Sequence, residues 1–183
     1  MTETPAGLLR VAAAIDRFSE ASGTVLALLI VPLIGAAAYE VVARYVFNAP
    51  TSWAYEFIYM TCAAMFMLGA AYALRTGAHV RTDFFWSRWP SRVRAAVDVV
   101  AYVVFFFPGM ALLLLVGIEA TWSAYQIGER SPETAWQPPL WPLKAIVPLA
   151  AALLLLQGAS ELAKSASALL TGAEYGRTGD PGT

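Results

Sequence analysis

The 183-residue sequence predicts an all-α polytopic membrane protein: four transmembrane helices, both termini on the cytoplasmic side, and amphipathic segments at the interface. Three observations lead there. Only 14% of residues are charged and 58% are hydrophobic, whereas soluble domains carry about 25% charge. The few charges are spaced so that four long apolar runs are left between them. Lys and Arg fall unevenly on the segments that separate those runs. A net charge of −1 argues against nucleic acid as a partner, because no excess of cations is present to neutralise phosphates. Cys62 is the only cysteine, so neither an internal disulfide nor a zinc cluster can form.

Residues 1–20 form a cytoplasmic amphipathic segment. Leu8, Val11, Ala12, Ile15 and Phe18 recur at helical spacing, while Arg10, Asp16, Arg17 and Glu20 fall elsewhere on the turn. That pattern predicts a helix lying on the membrane surface; a frayed tail is the plainer alternative. The membrane domain covers 21–163. Its uncharged runs are Ala21 to Tyr39, Phe57 to Leu74, Val99 to Ile118 and Ala145 to Ser160, close to the roughly 20 residues a span needs. The last is short and extends to Trp141 and Leu162, since Trp and Lys sit comfortably at headgroup level. The spans are placed at 22–47, 53–75, 95–123 and 141–163. A soluble bundle would need a polar face on each helix, and these runs offer none. The first run starts at residue 21 and exceeds the core of a signal peptide, so the first helix is expected to be retained. The tail, 164–183, is read as cytoplasmic, with disorder predicted at its Gly- and Pro-rich end, Gly172 to Thr183.

With both termini inside, nine of the 12 Lys and Arg residues lie on the cytoplasmic side, which fixes the expected orientation. The cytoplasmic stretch Arg75 to Ala96 interleaves Phe84, Phe85, Trp86 and Trp89 with Arg81, Arg88, Arg92 and Arg94. Interfacial rings beside cations suit anionic membrane lipids. The outer loop, Ser123 to Trp141, contains Gly128, Glu129, Arg130, Ser131 and Pro132, followed by Trp136, Pro138, Pro139, Trp141 and Pro142. It reads either as an aromatic belt with turn residues, which we prefer, or as a surface touched by a partner outside the membrane.

Within the spans the polar residues Thr24, Tyr39, Thr61, Tyr72, Tyr102, Gln157 and Ser160 read as scattered singly. Counted from Ala21 at about 1.5 Å per residue, Glu40 lies about 29 Å along the first helix, near the edge of the hydrocarbon. It can pair with Arg44 at i, i+4; a proton relay through Glu40 is the alternative. Pro32 and Pro108 predict kinks. Gly69, Ala73 and Gly77 form a small-residue stripe that lets another helix approach. His79, the only histidine, has no Cys or carboxylate at ligand spacing. No metal, cofactor or catalytic constellation is called for, and no phosphate-binding Gly-rich loop is present. The residues alone point to a four-helix membrane protein that supports another protein. The alternative is a stand-alone homo-oligomeric channel or carrier, which would need a polar stripe along one helix.

The run Glu40-Val-Val-Ala-Arg44-Tyr-Val-Phe47-Asn-Ala-Pro50-Thr-Ser-Trp53-Ala-Tyr-Glu56 resembles the signature of the small membrane (DctQ-type) subunit of tripartite ATP-independent periplasmic (TRAP) transporters. So does Gly69-Ala-Ala-Tyr-Ala-Leu-Arg75-Thr-Gly-Ala-His79-Val-Arg81-Thr-Asp83. Gly128-Glu129-Arg-Ser131, Trp141-Pro142-Leu-Lys144-Ala-Ile-Val-Pro148 and Leu-Gln157-Gly158 fit as well. The resemblance implies a scaffold in the bacterial inner membrane. Its implied partners are a large membrane subunit, which carries the solute and ion sites, and a periplasmic solute-binding protein that delivers an organic acid for ion-driven symport. The motifs around Asn48 and at residues 105–109 resemble the mannitol/chloroaromatic branch, and a small monocarboxylate is the preferred solute. Carried over, Glu40, Arg44, Pro50, Trp53 and Glu56 would form the outer hairpin, and Gly69, Arg75, His79, Arg81 and Asp83 the second helix and its inner turn, all with folding and docking roles. Gly128, Glu129, Ser131, Trp136 and Trp141 would face a periplasmic partner.

Overall fold

The computed structural model describes residues 6–76 and 91–171. Among them the regular structure is helical: α1 (Ala6–Ala27), α2 (Ile30–Tyr45), α3 (Ala54–Arg75), α4 (Ser91–Ala101), a π-helical turn (Tyr102–Phe106), α5 (Phe107–Gln126) and α6 (Trp141–Thr171). Helices are what a chain of this composition must form in lipid, where every backbone N–H and C=O needs a partner within its own segment. Four stretches are long and apolar enough to cross a membrane: Ala13–Tyr45, Ala54–Arg75, Ala96–Gln126 and Trp141–Ala166.

The first stretch begins well before residue 22 because α1 runs unbroken from Ala6 to Ala27 and leads straight into α2. The helix is interrupted at Leu28 and Leu29, where Val31 N–H bonds to Leu28 O at 3.1 Å in place of a full helical bond. Pro32 accounts for the break: it offers no N–H, and its ring crowds the carbonyl four residues back, which is that of Leu28. Pro108 lies just beyond the π-helical turn and has the same relation to Val104 inside it. Helix α6 passes through Pro148 without interruption.

Helix α6 is the centre of the bundle. It packs against α1, α3, α4 and α5, and 39% of its span is buried, against 11% or less in the other three spans. Small residues make the close approaches. A Cβ on Gly117 would come within 2.9 Å of the Pro148 ring, one on Gly23 within 2.7 Å of the Tyr72 ring, and one on Gly158 would overlap Phe106. The stripe anticipated at Gly69 is not one of these seams: nothing lies within 4 Å of a Cβ built there. Helical period shows that small residues share a face, but not which helix that face meets. Gly77 lies outside the described residues.

Candidate functional site

Polar side chains collect at the two ends of the bundle. One end, the hairpin end, holds the loops that join α2 to α3 and α5 to α6. The other, the terminal end, holds α1 against the last turns of α6.

At the hairpin end, the last turn of α2 carries Glu40 and Arg44. Arg44 Nε donates to Glu40 Oε1 at 3.0 Å, and the guanidinium forms an i, i+4 ion pair with the same oxygen. The second oxygen, Oε2, accepts from Thr51 N–H at 3.1 Å and from the Thr51 hydroxyl. Thr51 Oγ1 in turn accepts from Ala54 N–H at 3.4 Å, at the start of α3. One carboxylate therefore ties the end of α2 to the beginning of α3. Asn48, at φ 50°, makes the turn between them; a short polar side chain tolerates this left-handed conformation. Pro50 is exposed in this loop. Trp53 stacks on Tyr39 with ring centroids 5.9 Å apart, joining the two helices by an aromatic contact as well.

The loop after α5 begins with Gly128, at φ 62°, whose N–H bonds to Tyr125 O while Glu129 N–H returns to Ala124 O. This double closure favours glycine at the left-handed position. Ser131 N–H to Pro138 O and Leu140 N–H to Glu129 O, both 2.9 Å, close the rest of the loop. Ser131 is buried, and Trp136 is exposed. Lys144 pairs with Glu129 at 2.5 Å. Tyr125 packs edge-on against Trp141 and beside Trp122, so aromatic residues of the two flanking helices gather at one level.

Glu56, in the first turn of α3, does not join the Glu40 cluster. It points instead to the second loop, where its Oε1 accepts from the Thr134 hydroxyl. It is 1% exposed, and its Oε2 has no hydrogen-bond partner among the described residues. Tyr55, Glu56, Tyr59, Ser131, Glu133 and Leu143 are among the residues that line an adjoining cavity of about 300 Å³.

At the terminal end, Gln157, fully buried, accepts from Ser19 Oγ at 2.6 Å and donates to Asp16 Oδ1 at 2.9 Å. Ser160 Oγ donates to the same Asp16 oxygen at 2.9 Å. Lys164 bridges Asp16 at 2.6 Å and Glu161 at 2.9 Å. Arg75, at the end of α3, reaches Glu20 at 3.1 Å. Gln157 and Ser160 are therefore not isolated polar residues in an apolar span, as their spacing suggested, but the centre of a network between α1 and α6. Asp16 and Ser19 turn inward, whereas Phe18, on the apolar side of the expected surface helix, is exposed. The signal was in the sequence: Gln157, Ser160, Glu161 and Lys164 follow i, i+3, i+4, i+7 spacing. Thr51 could have been found as a cap three residues before Ala54. Thr134 carried no comparable sign.

Of the residues picked from sequence, Glu40 and Arg44 come together, Trp53 lies beside them through Tyr39, and Glu129, Ser131 and Trp141 belong to the second loop and its exit. Gly69 and Arg75 stand apart on α3. His79, Arg81 and Asp83, with the aromatic and basic stretch around them and the tail from Gly172, lie outside the described residues. Among the described residues no group of three His, Cys, Asp or Glu is placed to hold a metal ion.

Comparison with curated proteins gives no significant match. The model of the family described as tripartite ATP-independent periplasmic transporters, DctQ component, matches residues 33–168. The match runs from within α2 through most of α6, well over half of the chain, and takes in the hairpin end and the α6 side of the terminal end; the chain therefore belongs to the DctQ component family of these transporters.

Proposed function

We propose that this small transporter subunit acts as a rigid scaffold for a large membrane subunit, supporting ion-gradient-driven uptake of an organic acid delivered by a periplasmic binding protein. One observation carries the scaffold role. The described polar clusters lie at the two ends of the bundle and are engaged mainly in holding α1, α2, α3 and α6 to one another, while α2, α3 and α5 present exposed apolar faces between those ends. Such a body suits a fixed wall against which another protein moves. In this assignment the chain sits in a bacterial inner membrane with both termini cytoplasmic, following its excess of Lys and Arg on that side. Glu40, Arg44, Pro50, Trp53 and Glu56 then serve docking and folding at the periplasmic face, together with the Gly128 to Trp141 loop. The solute we propose is a small monocarboxylate, because the family this chain resembles includes members that handle 2-oxo acids or lactate.

The test is reconstitution. The large subunit with this chain and the binding protein should take up solute into liposomes under an ion gradient, and the large subunit without this chain should fail. Uptake by this chain alone would overturn the scaffold role. Binding measurements on the partner binding protein identify the solute, and a receptor that takes no organic acid would remove that part of the proposal.

A further inference from the structure

The cavity at the hairpin end is open, acidic and aromatic. Its most buried polar group is Glu56, 1% exposed, whose Oε2 has no hydrogen-bond partner among the described residues. A buried carboxyl oxygen left in that condition is costly unless a polar partner reaches it. The same cavity is lined by a second carboxylate, Glu133, and by the rings of Tyr55 and Tyr59, and none of its lining residues is a cation. Lys144, on the neighbouring turn of α6, is held by Glu129. Carboxylates and aromatic faces around one space form an environment for a cation, and a guanidinium answers both through charge-assisted hydrogen bonds and ring stacking.

We propose that this cavity receives a basic side chain, an arginine by its chemistry, from the large membrane subunit. This rests on the scaffold role given above and names the contact by which docking occurs. The surface around the cavity selects a membrane partner over a soluble one. Tyr55 and Tyr59 are 58% and 55% exposed one turn apart, and Phe66, on the same face of α3 further along the span, is 79% exposed. The cavity thus opens at the head of an apolar aromatic stripe running along a membrane-spanning helix, a surface that a second membrane protein can follow and a soluble one cannot.

The experiment uses the full chain co-expressed with the large subunit and the binding protein. A benzophenone amino acid at Tyr59 should crosslink to the large subunit within a few residues of an Arg or Lys. Glu56→Gln, which keeps the shape and the acceptor for Thr134, should lower recovery of the large subunit at least tenfold while the variant chain itself purifies and melts as the wild type does. Glu56→Lys should abolish recovery, and changing the mapped basic residue to Glu should restore it. A crosslink to lipid, to the binding protein or to a segment without Arg or Lys overturns the proposal, as does full recovery with Glu56→Gln. Failure of the wild-type chain to bind any large subunit would instead overturn the scaffold role itself.

Discussion

Apart from the long-range bond between Glu56 and Thr134, the two ends of the bundle are closed by different kinds of contact. At the hairpin end, Glu40 meets Arg44 within one turn and Thr51 across a short loop, and Lys144 meets Glu129 across another. These charges sit at a rim: the Arg44 side chain is 51% exposed and that of Lys144 36%. At the terminal end, Asp16 and Ser19 reach Gln157 and Ser160 from the opposite end of the chain, and Gln157 is fully buried. Local pairs set how one helix finishes. Distant buried bonds decide which helices are neighbours, and they leave buried polar groups unsatisfied when broken. The hairpin end is therefore suited to meeting other molecules, and the terminal end to holding the subunit together.

That contrast can be broken by mutation, beginning at the terminal end. Asp16→Ala takes a shared acceptor from buried Gln157 and Ser160 while Lys164 keeps Glu161, and should cost about 2.5 kcal/mol. Unfolding of the purified subunit in detergent measures it, and a loss no greater than that of a rim variant would erase the distinction between the ends. Next comes the middle of the bundle. Gly117→Ala places a Cβ against the Pro148 ring and backbone, which have little freedom to yield, and should cost about 2 kcal/mol through overpacking; an unchanged melting temperature would show that α5 and α6 are not in close contact there. Lys144→Ala removes a partly exposed ion pair and should cost only about 0.5 kcal/mol. Smallest in stability, Arg44→Ala and Glu40→Gln should leave the chain folded and reduce assembly modestly. Transport abolished with assembly intact would instead give Glu40 a part in the mechanism.

What could be read from sequence was what lies along a single helix. The spans followed from the spacing of charges, the Glu40–Arg44 pair from an interval of four residues, and the disturbances near Leu28 and Val104 from Pro32 and Pro108. What could not be read was rotation of one helix against another. Gly69 and Gly117 are equally small, yet only Gly117 meets a neighbour. Glu56 sits beside the Glu40 motif in sequence, yet it bonds to Thr134 in the other loop. Asp16 fitted the polar face of a surface helix, and in the bundle its side chain turns inward because α6 offers it partners. A polar residue in an apolar segment is satisfied by whichever element lies opposite, and a one-dimensional pattern does not contain that element.

The π-helical turn at Tyr102–Phe106 works as a phase correction in the third span. An α-helix advances about 100° per residue, so one surplus residue accommodated in a wide turn rotates everything after it by that amount. Asp98 before the turn, Tyr102 at its start, and Gly117 and Ala124 after it are all buried. In an uninterrupted helix Asp98 and Gly117 would point about 100° apart; with one residue absorbed they fall into line, and both halves of the span can face α6. Shortening the chain by one residue between Val103 and Phe105 would regularise the helix and keep its seam aligned, whereas the same deletion at Leu113 would leave the turn in place and swing the preceding half of the span out of register.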